Sequence, residues 1–401
     1  MKNNRDVVIV AMGRSAIGVF GGSLKELRAH QLGAQVIKGV LAKVPAVDPA
    51  ELDDVIMGDC VQSPDEANTA RTAALAAGIP VEVPAVTIQR QCSSAMEALA
   101  QAANQIRLGD AELILAGGME SMSNAFYCLP AARWGARLQH GKMMDSMWEL
   151  LHSGSCLLEP PGFIMGQTAE NLAAKYNISR WEQDLIALRS HNNTEKAIDQ
   201  GKFMDEIIPL AIPRRKKEPL IFATDEHVRR GLTLADLERL PPIFAQNGTV
   251  TAGNASGLND GAAVCLLASR GKAEALGLPV LARIRSYAVA GCDPKIMGWG
   301  PVPSTLKLLR KAGCKLSDIE LVELNEAFAA QYLACEQGLE LNRDITNVNG
   351  SGIGLGHPVG CTGARIVISL LHEMKRRDLN LGLATLCVGG GMGMSMLLEN
   401  E

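Results

Sequence analysis

The sequence is poor in aromatic residues and in net charge. Phe, Trp and Tyr make up only 4% of its 401 residues, and the formal net charge is -4 at pH 7. A weakly acidic chain offers no basic footprint, so we expect neither nucleic acid nor a membrane surface as partner. The one dense basic cluster, RRKK at 214–217, is interpreted as a solvated loop.

Motifs for metals, membranes and secretion are also missing. No two of the ten cysteines stand in C-x-x-C spacing and no H-E-x-x-H occurs, so we expect no metal site. No apolar run approaches the ~20 residues of a membrane span. A strand-like run begins at residue 7, which leaves no room for a signal peptide, and the tail LLENE is no peroxisomal address. These features favour a reducing, cytoplasmic location without disulfides.

What the chain does contain is an alternation of short apolar runs and helical patterns. Strands are predicted at 6–11, 53–59, 85–89 and 111–118, and helices at 23–44, at 68–78 and after Cys92. This order is typical of α/β proteins and predicts a mostly parallel sheet covered by helices. The length predicts about two or three domains.

The same order of elements recurs near the C-terminus. The matching segments are 304–313, 318–327, 327–338, 345–350, 360–377 and 382–393, and both halves end in a strand that runs into Gly-Gly-Met. We therefore predict a duplicated α/β domain whose halves pack around a pseudo-twofold axis. The stretch 120–250 breaks the pattern, contains two predicted helices (168–176 and 180–200), and is expected to be an inserted lid or binding surface.

Cys92 is the first candidate for a reactive group. It stands at the predicted start of the helix that follows the third strand, with Ser93 and Ser94 next to it. Backbone N–H groups and the helix dipole favour an anion there, so a thiol at this place tends toward thiolate, and the serines can cap exposed donors. The alternative is a buried, inert cysteine.

Three further candidates lie in the second half. His357 stands in the glycine-rich loop NGSGIGLGHPVG, Cys387 ends the last predicted strand, and Asn325 follows another strand. Ligands of α/β sheets gather at the carboxyl ends of strands. The structural alternatives are an exposed histidine and a turn or capping asparagine.

Together these side chains favour acyl transfer, because one thiol can carry an acyl group while a second moves a proton. Cys and His alone would also permit a cysteine hydrolase. A nicotinamide enzyme is disfavoured, since none of the glycine runs matches G-x-G-x-x-G.

At this point the chain resembles the thiolase family over nearly its whole length. The motifs that carry the resemblance are DVVIVAMGRSAIGVFGGSL, QRQCSSAMEA, AGGMESMSNA, NGTVTAGNASGLNDGAA, ELNEAFAAQ, GHPVGCTGAR and CVGGGMG, in family order. The resemblance implies a duplicated five-layer αβαβα fold with a large inserted loop domain. It places an N-terminal domain at 1–270, including the insertion at about 120–250, and a C-terminal domain at 278–401. It also implies a homodimer or homotetramer.

The resemblance further implies reversible Claisen chemistry on coenzyme A thioesters, with no cofactor beyond the CoA substrates. Cys92 would take the acyl group and His357 would activate it. His357 and Asn325 with its water would stabilise the enolate, and Cys387 would be the acid/base. Backbone N–H groups of Cys92 and Gly389 would hold the acyl oxygen.

For substrate binding, the family pattern points to eight residues. They are Arg229, Ala255, Ser256, Leu258, Ala327 and Phe328 for CoA, and Met165 and Met297 for the acyl group. The chain departs from the family at Ala95, commonly Gly, and at Ile164, which is His in the short-chain biosynthetic subgroup. We expect Ala95 and Ile164 to lie near the pocket and to influence acyl-chain length.

Three alternatives to a short-chain thiolase stay open. A degradative thiolase of broader chain length would share every motif. Ketoacyl synthases and hydroxymethylglutaryl-CoA synthases share the fold, but use two histidines or a glutamate where this chain has Cys387. A non-catalytic acyl-CoA-binding or scaffold subunit would be expected to lack one of the four reactive groups.

Overall fold

The computed structural model describes residues 3–138, 140–152 and 162–401. Residues 139 and 153–161 of the predicted insertion lie outside the described residues. The strands are β1 Val7–Arg14, β2 Gly18–Val19, β3 Asp54–Gly58, β4 Ala85–Ile88, β5 Leu113–Ser121, β6 Tyr127–Cys128, β7 Met144–Asp145, β8 Leu210–Arg214, β9 Lys217–Phe222, β10 Asn259–Ser269, β11 Ala282–Gly291, β12 Leu321–Leu324, β13 Leu381–Val388 and β14 Met392–Asn400. The helices are α1 Ala29–Ala42, α2 Thr69–Ala76, α3 Ser94–Leu108, α4 Ser146–His152, α5 Met165–Lys175, α6 Arg180–Asp199, α7 Leu234–Glu238, α8 Arg270–Ala275, α9 Pro301–Ala312, α10 Ala329–Leu339, α11 Gly352–Leu355 and α12 Val359–Arg377.

One continuous sheet runs through both halves. Its order is β12-β13-β14-β11-β1-β10-β5-β3-β4, with β2 paired to β10. Pairing is parallel for β3 with β4 and β5 and for β12 with β13, but antiparallel for the strands between them. The prediction of a mostly parallel sheet was therefore wrong. The strands β10, β11 and β14 were not predicted, and the three-residue turn from β13 to β14 permits only antiparallel pairing.

The helices form three layers around the two halves of this sheet. Helices α3 and α12 pack on each other in the centre, and most residues of both are buried. Apolar side chains of α1 and α2 share a core with the outer face of the first half, and those of α9 and α10 do so with the second half. The predicted duplicated five-layer fold is confirmed.

The repeat is imperfect at 345–350. The motif predicts a strand there, but the segment makes only a single bridge, from Thr346 to Val322. Asn347 adopts φ 50, and its side chain bonds the N–H of Leu324 at 2.8 Å and the carbonyl of Leu324 at 2.7 Å. The side-chain amide of Asn347 thus forms the hydrogen bonds that the backbone of a paired strand would form with Leu324, and strand pairing stops here.

The insertion is attached to both halves. Helices α5 and α6 share the core of α10, and the hairpin β8–β9 packs on α1. The basic residues 214–217 are exposed at the tip of this hairpin, as predicted. Within the described part of the chain, no helix combines the length and the apolar character that crossing a bilayer would need.

Candidate active site

Cys92 sits on a tight turn between β4 and α3. Gln91 has φ 45, and its carbonyl accepts the N–H of Ser94 at 3.0 Å and the hydroxyl of Ser94 at 2.6 Å. The helix begins at Ser94, so Cys92 precedes it by two residues. The serine hydroxyls do not cap helix donors as expected, because Ser93 lacks the extended N-cap conformation (φ -95, ψ 9) and donates to Arg90 O at 3.1 Å.

The Cys92 thiol is only 2% exposed. Burial raises its pKa to about 11, against the opposing effect of the backbone N–H groups of Gly389 and Cys92 itself. The expectation of a resting thiolate was therefore wrong, because desolvation outweighs the nearby donors. Those donors can nevertheless support negative charge that develops on sulfur or on an acyl oxygen.

His357 is presented between α11 and α12 by a glycine turn, with Gly356 at φ 102. Its backbone N–H donates to Asn259 Oδ1 at 2.9 Å, and its ring Nδ1 lies 2.7 Å from Thr362 Oγ1. The Thr362 hydroxyl donates to Pro358 O at 2.9 Å, so Nδ1 is the protonated nitrogen and Nε2 is free to accept a proton. Burial lowers the pKa of His357 to about 3, with a smaller effect from Arg365. The resting imidazole is neutral.

Asn325 follows β12 and lies beside this imidazole. Its Nδ2 is 3.5 Å from His357 Nε2, and the side chain is fully buried. Among the described residues, Asn325 Oδ1 has no hydrogen-bond partner. The asparagine was predicted as a site residue, and the structure brings it to the histidine across 32 positions of sequence.

Cys387 lies near the end of β13, before a glycine turn into β14. The residue is fully buried and packs with Met165, Met297 and Ala327. Burial raises the pKa of this thiol well above 9.0, with a further contribution from Cys92. A Cβ on Gly389 would stand 2.7 Å from the Met165 Cε, so a larger residue there would require the end of the Met165 side chain to move.

A cavity of about 360 Å³ lies against Cys92 and His357, within the size range of ligand pockets. Cys92 and His357 line it, while Asn325, Cys387 and Gly389 are not part of its lining. All eight predicted binding residues do line it: Met165, Arg229, Ala255, Ser256, Leu258, Met297, Ala327 and Phe328. Ile164 lines the pocket as well, as expected.

Ala95 does not line the pocket, contrary to expectation. It is fully buried in α3. A Cβ placed on Gly118 would come within 2.7 Å of the Ala95 methyl and 2.0 Å of the Gly360 carbonyl, so Ala95 faces the packing of α3 with β5 and α12. Ala95, the second residue of α3, therefore contributes to helix packing and not to the pocket wall.

The mouth of the pocket combines a cation with an apolar wall. Arg229 is exposed, and its backbone N–H donates to His191 Nδ1 at 3.2 Å. The Ser256 N–H donates to Ala327 O at 2.9 Å, which fixes the loop against the end of β12. Such a site can take an anionic head group outside and an apolar chain inside.

Sequence reasoning missed several residues that shape the site. Thr362 and Asn259 orient His357, and Met122, Leu151, Ile243, Phe244 and Val359 add to the lining. The position of Thr362, on the first turns of the helix after His357, was the one signal available. In the described ranges, no three His, Cys, Asp or Glu side chains are grouped to hold a metal ion.

Comparison with known proteins gives a consistent result. Residues 7–271 match the family "Thiolase, N-terminal domain", and residues 278–400 match "Thiolase, C-terminal domain". The acetyl-CoA acetyltransferase of Pseudomonas aeruginosa is 50% identical over 402 residues, covering 99% of this chain and 100% of the relative. The crystal structure of the Bacillus anthracis acetyl-CoA acetyltransferase superposes with a TM-score of 0.96 at 54% identity, covering 99% of both chains. The crystal structure of human mitochondrial 3-ketoacyl-CoA thiolase superposes with a TM-score of 0.95 at 43% identity, covering 99% of this chain and 100% of that one.

Proposed function

The chain belongs to the thiolase family and is an acyltransferase, and from this premise we propose how its pocket works. It catalyses acyl-CoA + acetyl-CoA ↔ 3-ketoacyl-CoA + CoA through an acyl-Cys92 intermediate. The substrate is acetoacetyl-CoA or another short-chain 3-ketoacyl-CoA. The observation that carries the proposal is the cavity lined by Cys92 and His357 and backed by Asn325 and Cys387.

The first step is acyl transfer to Cys92. The Cys92 sulfur attacks the thioester carbonyl while its proton passes to His357 Nε2, which the Thr362 contact leaves unprotonated. Backbone N–H groups of Cys92 and Gly389 support the oxyanion. The intermediate then collapses, the carbon–sulfur bond to CoA breaks, and the CoA sulfur takes the proton from His357.

The second step forms the carbon–carbon bond. Cys387, as thiolate, removes the α-proton of acetyl-CoA, and the enolate carbon attacks the acyl carbon on Cys92. The carbon–sulfur bond to Cys92 then breaks, the 3-ketoacyl-CoA leaves, and the Cys92 sulfur takes the proton that Cys387 had accepted. A water on Asn325, together with His357, holds the enolate oxygen. In the reverse direction the raised pKa of Cys387 suits its role, because a protonated thiol can donate to the departing enolate carbon.

Substrate recognition follows the polarity of the pocket. Arg229 lies where the charged end of CoA would enter, and the loop of Ala255 and Ser256 lies against Phe328. Met165 and Met297 bound the acyl end next to Cys387. Apart from the water on Asn325, the groups that the two steps require are protein side chains and backbone donors, and we propose a reaction that needs no cofactor beyond the CoA thioesters.

A degradative thiolase of broader chain length is the second candidate. The apolar Ile164 at the pocket wall supports it, because an aliphatic side chain there extends the surface available to a longer acyl chain. The scaffold alternative has less support, since all four reactive groups are in place.

For the assembled protein, we extend the proposal to a cytoplasmic homotetramer or homodimer. Large apolar side chains in the segment 127–148 are exposed: Tyr127, Leu129, Trp134, Leu138, Met143 and Trp148. Clusters of this kind mark contact surfaces between proteins. We also propose domains at 1–270, including the insertion at about 120–250, and at 278–401.

The function is tested by thiolysis of a series of straight-chain 3-ketoacyl-CoA substrates in the presence of CoA. We expect kcat/KM to be greatest for the shortest members and to fall by about tenfold or more as the chain outgrows the pocket. A flat series would favour the broader-chain candidate. Absence of thiolysis for every member, with wild type no better than Cys92→Ser, would contradict the proposed function.

A further inference from the structure

A buried carboxylate, Glu120, lies beneath the pocket on β5. It is fully buried, and its oxygens accept three backbone N–H groups. Oε2 accepts Cys60 N–H at 3.0 Å and Gly360 N–H at 2.8 Å, and Oε1 accepts Val61 N–H at 3.1 Å. None of the catalytic steps above uses this group.

The first two donors hold the loop that supports the Cys92 turn. Cys60 and Val61 follow β3, and the Cys60 thiol donates to Gln91 O at 3.1 Å and lies 3.4 Å from Ser94 Oγ. Gln91 is the residue in left-handed conformation directly before Cys92. Glu120 is therefore linked through Cys60 to the backbone of Gln91, which orients the Cys92 thiol.

The third donor belongs to the histidine side of the site. Gly360 lies in the first turn of α12, three residues after His357. A helix N-terminus favours an anion, so the bond to Glu120 holds this turn in place. The approach is close, since a Cβ on Gly360 would stand 2.6 Å from the Met119 carbonyl and 2.8 Å from Glu120 Oε2.

The negative charge of this arrangement belongs to Glu120. Within the described residues it forms no ion pair with Lys, Arg or His, and the carboxyl of Asp59 is buried beside it. Burial raises the pKa of Glu120, but its three N–H donors oppose this shift, whereas no backbone N–H of the described residues bonds the Asp59 carboxyl, so we assign the proton of the pair to Asp59. The pKa of Asp59 is accordingly raised well above 3.8 by burial and by Glu120.

Glu120 also acts on the nucleophile through its charge, since it contributes to the raised pKa of Cys92. The other titratable side chains that face Glu120 or Cys92 are Asp59, Cys60, His357, Cys361 and Cys387. Glu66 lies next to Asp59, and Arg365 next to Cys361 and His357.

We propose that Glu120 is a positioning residue for the thiolase reaction: it clamps the Cys92 turn to the His357 loop, and its buried charge acts on the Cys92 thiol. The proposal rests on the proposed function for the reaction that is positioned. The clamp joins the two halves of the duplicated fold at a place where each supplies a partner of the same proposed proton transfer.

The test combines alkylation of Cys92 with kinetics. Cys92 carboxamidomethylation by iodoacetamide is followed by peptide mass spectrometry from neutral to alkaline pH in wild type and Glu120→Gln. The midpoint is the pH at which the alkylation rate of Cys92 reaches half its maximum. Because removing the anion favours the thiolate, we expect this midpoint to be roughly one pH unit lower in Glu120→Gln. Because Gln cannot accept all three N–H groups equally, kcat for thiolysis should fall by about tenfold or more with KM within about twofold.

Two variants separate position from charge. Glu120→Asp keeps the charge but shortens the reach, and it should lower kcat without moving the midpoint. Asp59→Asn should also leave the midpoint in place, because the charge is on Glu120. The matched control is Glu320→Gln, which removes a carboxylate that accepts two backbone N–H groups, of Asn380 at 2.6 Å and Leu381 at 2.8 Å, at the far end of β13.

An unshifted midpoint in Glu120→Gln, or the same shift in Asp59→Asn, would overturn the proposal. If Glu120→Gln does not fold, wild-type kcat in Glu120→Asp would overturn it. Alkylation of Cys92 does not require catalytic turnover, so it tests the role of Glu120 even if the proposed function is wrong. The proposed function would be contradicted by a different result, the failure of wild-type protein to cleave any 3-ketoacyl-CoA.

Discussion

The two halves of the molecule each deliver one thiol to the same pocket, and they do so differently. Cys92 follows a strained turn before a helix, lines the cavity, and has the N–H groups of Gly389 and Cys92 near its sulfur. Cys387 lies within a paired strand and packs against two methionines, and the backbone N–H of Cys387 itself opposes the rise of its pKa. The Cys92 sulfur thus has the N–H of another residue, Gly389, beside it, as an oxyanion site would require.

This contrast explains how identical side chains can have different roles. Donors beside Cys92 stabilise the charge of an attacking sulfur and of an acyl oxygen, as a nucleophile requires. Cys387, in an apolar environment, keeps its proton more firmly and suits proton transfer to carbon. In the proposed reaction, the backbone surroundings and not the residue type would distinguish the two roles.

The largest expected effect comes from removing the first thiol. Cys92→Ser should lower kcat by about 10⁴-fold or more, because the hydroxyl is a far weaker nucleophile and the remaining groups act only with it. Steady-state thiolysis measures this. Retention of more than about a tenth of wild-type kcat would break the assignment of Cys92.

Removing the second thiol should separate the two steps. Cys387→Ala should lower kcat for condensation by about 10²- to 10⁴-fold, the range of general acid–base catalysis, while acyl transfer to Cys92 continues. Isotope exchange between free CoA and acetyl-CoA reports the first step alone. Parallel loss of exchange and condensation would show that the two thiols do not differ in role.

The Asn325 amide gives the next effect. Asn325→Ala should reduce kcat by about 10²-fold, the loss typical for one oxyanion donor, with acyl exchange less affected than condensation. Asn104→Ala is the control, since that amide bonds the exposed Tyr287 hydroxyl at 2.6 Å on the far part of α3. Equal losses in exchange and condensation would place Asn325 in the first step.

The smallest effect concerns the tautomer of His357. Thr362→Val removes the acceptor of Nδ1–H, leaving a buried donor unpaired at a cost of about 1–3 kcal/mol, so kcat should fall by about 5- to 100-fold. Thr362→Ser keeps the hydroxyl and should restore most of the activity. Equal activity of the Val and Ser variants would remove Thr362 from the account.

Local patterns predicted several strands and the candidate reactive residues, whereas the five-layer fold was implied by the family resemblance. Alternating apolar runs located β1, β3, β4 and β5, and Cys92, Asn325, His357 and Cys387 stand at element ends within recognisable motifs. The antiparallel centre was not predictable, since β10, β11 and β14 pair across long separations. The protonation of Cys92 depends on desolvation, and the direction of Ala95 on helix packing, and neither leaves a pattern in the sequence.

The central claim is that the two thiols divide the reaction between them. The direct measurement mixes isotope-labelled acetyl-CoA with wild type, Cys387→Ala and Cys92→Ser, quenches in acid, and locates the label by peptide mass spectrometry. The account predicts labelled acetyl on Cys92 in wild type and in Cys387→Ala, and none in Cys92→Ser. Label on Cys387, or none on Cys92 of a wild-type enzyme that turns over, would contradict it.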